Sequence, residues 1–346
     1  MSRVIHGQDR VRATTRARIQ LAIGEPGHTP EGAAQGLSGR RKEVIGFISI
    51  DCPGQPLDIE NRNPIYNDKV LRGVERRISG LGWSLLITYW NGEADQDLSQ
   101  IAAMPGKVDG ILISIGSFPP RLLERMAKRV PVAVIAGDPA ERDVDVVAAD
   151  NRSGSAAIVT HLVESHGKRR IYHVDGPPSM PDTAQRRSGL LQVLRDHPAA
   201  RLVGTTHGSN YVDSGLVAGH QILAECRGEL PDAVVAANDQ MAIGVLRSLT
   251  AAGIRIPEQV AVVGFDDISP GNLCEPPLTT VHQPMRMLGE RACDRLLKRI
   301  ATPGLAPRVE LLPTELVLRQ SCGCPPGTLI RRPIGRENPA TSEPLE

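Results

Sequence analysis

Three stretches carry the side chains most able to do chemistry. "GFDD" closes a β-branched run and sets Asp266 beside Asp267. "HLVESHG" holds His161 and His166, and "SCGC" holds Cys322 and Cys324. Adjacent carboxylates suggest acid–base work or a divalent cation. No His or Cys accompanies them at ligand spacing, and the chain has no G-x-S-x-G elbow. The single residue between Cys322 and Cys324 is shorter than the usual C-x₂₋₄-C zinc spacing, and no His pair follows. The two are read as free thiols. His161 and His166 flank a helix end, where capping or packing accounts for them. The expectation is therefore no enzyme, no metal centre and no cofactor.

The elements that position such residues alternate from Val44 onward. "VIGFIS", "SLLITYW", "GILISI", "VAVIA", "RIYHVDG", "AVVAA" and "VAVVGFDD" read as strands. Between them lie helical segments: "VLRGVERRISGLG", "PRLLERMAKRV", "GSAAIVTHLVESHG" and residues 181–196, 213–226 and 239–252. Alternation of this kind predicts an α/β protein with parallel sheets and helices on both faces. The strands are too many for one comfortable sheet, so two lobes are expected. Neither lobe carries G-x-G-x-x-G after its first strand, and no G-x-x-x-x-G-K-[ST] occurs. A small molecule would sit in the cleft outside the strands' carboxyl ends.

The chain has 346 residues and a net charge of +1. Residues 1–43 hold eight Lys and Arg against four Asp and Glu. A basic head on a mildly acidic body suggests a polyanion partner for the head. Arginines interrupt the N-terminus, so it lacks the apolar core of a signal peptide. No apolar run reaches membrane-spanning length. The scattered thiols of Cys52, Cys226, Cys274 and Cys293 suit the cytoplasm. Residues 325–346 are rich in Pro and polar residues without period and are expected to be disordered.

The head and body together resemble the lactose-repressor/galactose-repressor family of bacterial transcription regulators. "SRVIHG" looks like the end of its recognition helix, "RVRATTRARIQLAI" its third helix and "TPEGAAQGLSGRR" its hinge helix. "KEVIGFIS" looks like the first core strand. The match continues through "NPIYNDKVLRGVE", "TAQRRSGL", "ANDQMAIGVLRSLTAAGIRIPEQVAVVGFDD" and "PPLTTVHQPMRMLGERACDRLL" to "ELVLRQSC". The resemblance implies a partial helix-turn-helix head at 1–30, a hinge at 31–43 and a two-lobed, periplasmic-binding-protein-like core at 44–324. A first helix and turn would precede Ser2. We expect Met1 to be an internal GTG valine codon read as a start, which the upstream genomic frame would test. Ser2 and Arg3 would contact DNA, Gln35 would lie near its backbone, and Leu37 would wedge into a minor-groove step. Pro26 and Glu31 depart from the family's usual Leu and Asn.

For the core, the resemblance implies a homodimer that binds operator DNA and holds a sugar-like effector between the lobes. Arg186 matches the family's ligand-binding arginine and Asp266 its ligand carboxylate; Asp267 is read as structural. Asn151 and Asn238 are further candidates, with helix capping as the other reading of Asn238. Aromatic residues make up only 3% of the chain, so Tyr66, Trp90 and Phe265 are candidates to stack on a sugar ring, with core packing as the alternative. The alternative function is a sugar-binding protein with the same core and no DNA binding.

Overall fold

The computed structural model describes residues 41–50, 64–90, 98–114, 118–138, 143–226 and 228–334, together with Thr14. Ser2, Arg3, Gln35 and Leu37 lie outside these residues. The chain divides into two compact units, Met1–Lys42 and Glu43–Glu346, and the architecture below is that of the second.

In chain order its elements are β1 (Val44–Ile50), α1 (Pro64–Ile78), β2 (Ser84–Trp90), α2 (Ser99–Ala103), β3 (Gly110–Ser114), α3 (Pro120–Ala127), β4 (Val132–Ile135) and β5 (Asp145–Ala149). There follow α4 (Asn151–Thr160), β6 (Arg170–Asp175), α5 (Pro181–Asp196), β7 (Arg201–His207), α6 (Val212–Glu225), β8 (Ala233–Ala236), α7 (Asp239–Ala251) and β9 (Ala261–Val263). The last are α8 (Ser269–Asn272), β10 (Thr280–His282), α9 (Met285–Ala301), β11 (Val309–Leu312), β12 (Thr314–Leu318) and β13 (Ile330–Ile334).

Two parallel sheets result, in the orders β11-β5-β4-β3-β1-β2 and β7-β6-β8-β9. Each is the centre of one lobe. Both faces of each sheet are buried, as the period-2 pattern requires. On β1, Ile45 and Phe47 enter one core layer and Ile48 and Ile50 the other. On β8, Ala233 and Val235 face one layer and Val234 and Ala236 the opposite one. β11 joins the first sheet late in the chain, pairing with β5, so the chain passes between the lobes more than once.

Close helix crossings hold both lobes together at paired glycines. A Cβ on Gly73 of α1 would strike the Arg286 carbonyl of α9, and one on Gly289 would strike the Val70 carbonyl of α1. Gly215 of α6 and Gly244 of α7 are matched in the same way. Such contacts leave no room for any side chain.

The structure departs from the sequence reading in four places. The run "VAVVGFDD" is a strand only to Val263. Beyond it Asp266 and Asp267 take φ values of 118° and 56°, which turn the chain out of the sheet. Non-glycine residues there are strained, a feature that clusters at functional sites. A third, antiparallel sheet, β10-β12-β13, was not anticipated. The segment expected to be disordered from residue 325 includes β13, which pairs with β12 from Thr314↔Ile334 to Leu318↔Ile330. Backbone pairing to an open edge needs no apolar period, and Pro333 is tolerated on an edge strand. Arg331 fixes the strand through Asp267 at 2.7 Å and Glu315 at 3.3 Å. Finally, α4 widens into a π-helical turn over His161–Ser165, so "HLVESH" meets the "SCGC" turn.

Candidate functional site

The second lobe gathers polar side chains where its strands end and its helices begin. Pro181 opens α5 and places Asp182 in its first turn, with Arg186 one turn later on the same face. Arg186 is buried, with two hydrogen bonds and two carboxylates around its fork. Nε donates to Asn151 Oδ1 at 2.8 Å and Nη1 to the Ala237 carbonyl, beyond β8, at 2.7 Å. Asp266 lies 3.4 Å and Asp182 3.7 Å from the guanidinium. Its plane covers the Phe265 ring at 3.9 Å, a cation–π contact.

Each partner is held in turn. Asn151, the first residue of α4, donates to Asp182 at 2.9 Å and to the Ala149 carbonyl at 3.2 Å. Asp266 accepts from Gln283 Nε2 at 2.6 Å. Asn238 caps α7, accepting from Met241 N–H at 2.9 Å, and donates to the Asn210 carbonyl at 2.9 Å. Asp239 accepts from Thr280 Oγ1 and from Ile268 N–H, tying α7 to the turn after β9.

Burial dominates the electrostatics. It raises the carboxyls of Asp182 and Asp266 to about 6, although Arg186 draws both down. Asp239 is raised further above the usual range by burial and then by Asp266. Tyr66 of α1, in the first lobe, feels the same cluster: burial and then the charges of Asp182 and Asp266 raise its hydroxyl. Lys69, also of α1, draws Asp266 down.

The structure thus brings Tyr66, Asn151, Arg186, Phe265 and Asp266 into one neighbourhood. Asn238 borders it, with both ends of its amide committed within the chain. Phe265 serves twice, in the lobe's core and as the platform under Arg186. Trp90 lies elsewhere. It packs in the first lobe's core, edge-on to Phe118 at 5.6 Å. Its buried Nε1 has no hydrogen-bond partner among the described residues.

Asp267 pairs with His282, Arg319 and Arg331. Burial alone would raise its carboxyl, but His282, Arg319 and Arg331 hold it well below the usual range. It is a structural anchor. Asp182 and Gln283 escaped the sequence reading. The four-residue step from Asp182 to Arg186 was a usable signal; Gln283 gave none, because it reaches Asp266 only through the tertiary fold.

The cap at Asn238 gives a direct stability test. Asn238→Ala should cost about 1–2 kcal/mol, while Asn238→Asp keeps the acceptor and most of that stability. Urea midpoints at constant slope would check the ordering.

Two parallel-sheet lobes with a buried charged and amide cluster at the strand ends define a ligand-binding core of the periplasmic-binding-protein type. Residues 159–322 match the family described as periplasmic binding protein-like domain. The whole chain carries the likeness further. It is 33% identical over 330 residues to the HTH-type transcriptional regulator CelR of Thermobifida fusca, covering 93% of both chains. A solved CelR–cellobiose complex superposes with a TM-score of 0.72 at 29% identity, covering 92% of this chain and 94% of that one. The lac repressor dimer bound to operator and the anti-inducer ONPF gives 0.78 at 25% identity, covering 93% and 94%. The chain belongs to the lactose-repressor/galactose-repressor family of transcription regulators.

Proposed function

We propose that this chain is a sugar-responsive repressor that acts in the cytoplasm as a homodimer. The observation that carries the reading is the Arg186 fork, which lies between Asp182 and Asp266 and over Phe265. A planar donor fork, two carboxylates and an apolar ring are the groups that vicinal hydroxyls and ring carbons require. Tyr66 and Lys69 add groups from the other lobe, so an effector held there would touch both. Among the described residues no helix is long and apolar enough to cross a membrane, in keeping with this reading.

In this proposal Arg186, Asp266 and Asp182 bind effector hydroxyls, and Asn151 and Gln283 hold them in place. Effector binding changes the relation of the lobes and so the spacing of the two hinges on DNA. Ser2, Arg3, Gln35 and Leu37 would make the DNA contacts, on a palindromic operator read by two protomers.

A thermal-shift screen of sugars and polyols, cellobiose and ribose among them, tests the first half. A sugar present at about a hundred times its Kd should stabilise the native state by about 2.7 kcal/mol. The same sugar should then change retention of the DNA upstream of the chain's own gene in a gel-shift assay. A core that no polyol stabilises would overturn the effector assignment. DNA that is never retained, with sugar binding intact, would leave the sugar-binding protein without a DNA role.

A further inference from the structure

We propose that His161, His166, Cys322 and Cys324 form a closed structural zinc site at the end of α4 remote from the effector cluster. The four candidate ligand atoms lie within 4.8 Å of one another. The two Nε2 atoms are 3.1 Å apart, and Cys324 Sγ is 3.5 Å from each of them. Cys322 Sγ is 3.7 Å from His161 Nε2. Zinc–sulfur bonds of about 2.3 Å and zinc–nitrogen bonds of about 2.05 Å at tetrahedral angles put N···N edges at about 3.3 Å and N···S edges at about 3.6 Å. Four of the six edges therefore match a Cys₂His₂ zinc shell, and the other two lie within 4.8 Å. A set of two imidazoles and two thiols with no carboxylate favours zinc over magnesium or calcium.

Two local distortions build this arrangement, and both explain why the sequence spacing hid it. Four residues lie between His161 and His166, a five-position step that on an α-helix would splay the rings. The π-helical turn over His161–Ser165, with hydrogen bonds spanning five positions instead of four, widens the helix and brings the two positions towards one face. The rings meet edge to face with centroids 4.7 Å apart. At the other segment, Gly323 takes φ 112°, a value that lets the chain reverse between two cysteines only two positions apart. A Cβ at Gly323 would come within 3.1 Å of His166 Nδ1, so the turn and the ring are fitted to each other. Both cysteines are free thiols, and Thr279 Oγ1 donates to Cys322 Sγ at 3.1 Å.

Binding would release one proton from each thiol to solvent, and the two thiolates would balance the dication. With four protein ligands no position is left for a substrate, so the role is to staple the segment after β12 to α4. Asn151 stands at the other end of this helix, roughly 20 Å away at 1.5 Å per residue.

Tag-free full-length protein, purified reduced and without chelator, should carry about one zinc per chain by elemental analysis, the stoichiometry of a closed four-ligand site. Cys324→Ser and His166→Gln should each lower that occupancy at least tenfold, and Cys226→Ser should not change it. Cobalt(II) added to stripped, reduced wild-type protein gives a reading that needs no variant. The expected spectrum has thiolate-to-cobalt charge transfer and the intense visible bands of four-coordinate cobalt. Zinc below a tenth per chain together with a weak six-coordinate cobalt spectrum would overturn the site, as would zinc that survives both ligand substitutions.

Discussion

Replacing Arg186 with leucine is expected to abolish effector-induced stabilisation and to lower the unfolding free energy by about 3–5 kcal/mol. The guanidinium is the only cation within 4 Å of Asp182 and Asp266 among the described residues. Without it two buried carboxylates lose their counter-charge, the Ala237 carbonyl loses its donor and Asn151 Oδ1 loses Nε. Leaving buried polar groups unpaired costs far more than the pairs contribute when intact. Arg186→Lys retains the charge but cannot serve Asn151 and Ala237 together, so it should recover part of the stability and little of the binding. Adding Asp182→Asn to Arg186→Leu should restore more stability than the two single changes imply, because one of the stranded charges is gone. Urea unfolding of wild type, the three single variants and the double variant, with and without the sugar found by thermal shift, checks each point. Additive free energies across the cycle would mean that Arg186 and Asp182 do not act as a unit.

Much of this neighbourhood was legible because local and global signals coincide. The helices at Pro181–Asp196 and Asp239–Ala251 announced themselves by period, Pro181 and Asn238 marking their starts. Arg186 and Asp266 were singled out by the family resemblance, with Asn151 as a further candidate, and strand ends next to helix starts are the physical reason they meet. Illegible features depended on contacts that no window of sequence contains. Gln283 reaches Asp266 across 17 positions, and β13 forms because an edge of β12 is free. Trp90 has the same residue type as a sugar-stacking ring, but its packing against Phe118 takes it into a core. That His161, His166, Cys322 and Cys324 lie together was illegible for a sharper reason. Spacing rules for metal ligands assume an α-helix and a regular knuckle, and here a π turn and a left-handed glycine replace both.

Asp182→Asn is expected to stabilise the effector-free protein at pH 7.5 by about 2–3 kcal/mol and to make no difference near pH 4. The carboxyl stands at about 6 in the folded chain against 3.8 for the free side chain, burial being the largest cause. A raised acid favours the protonated form, so its contribution to stability is complete below pH 3.8 and is lost as pH rises through 6. Asparagine mimics the protonated acid at every pH and keeps an acceptor beside Arg186. The comparison must be made between variant and wild type, because other groups titrate in the same window with opposite sign. His161, lowered to about 4, and His166, also lowered, penalise folding as pH falls below 6.5. Asp267, held far below the usual range, withdraws its contribution only in stronger acid. These cancel in the difference, whereas Asp266 responds to Asp182 and should ionise more easily once its neighbour is neutral. Urea midpoints at half-unit steps from pH 4 to 7.5 would trace the curve. A gap that is constant with pH, or an Asp182→Asn protein weaker at pH 7.5, would show that the carboxyl is not held protonated by burial. If it is so held, the same substitution should weaken the proposed sugar binding, since a carboxylate that lowers stability when alone is the group an effector hydroxyl would satisfy.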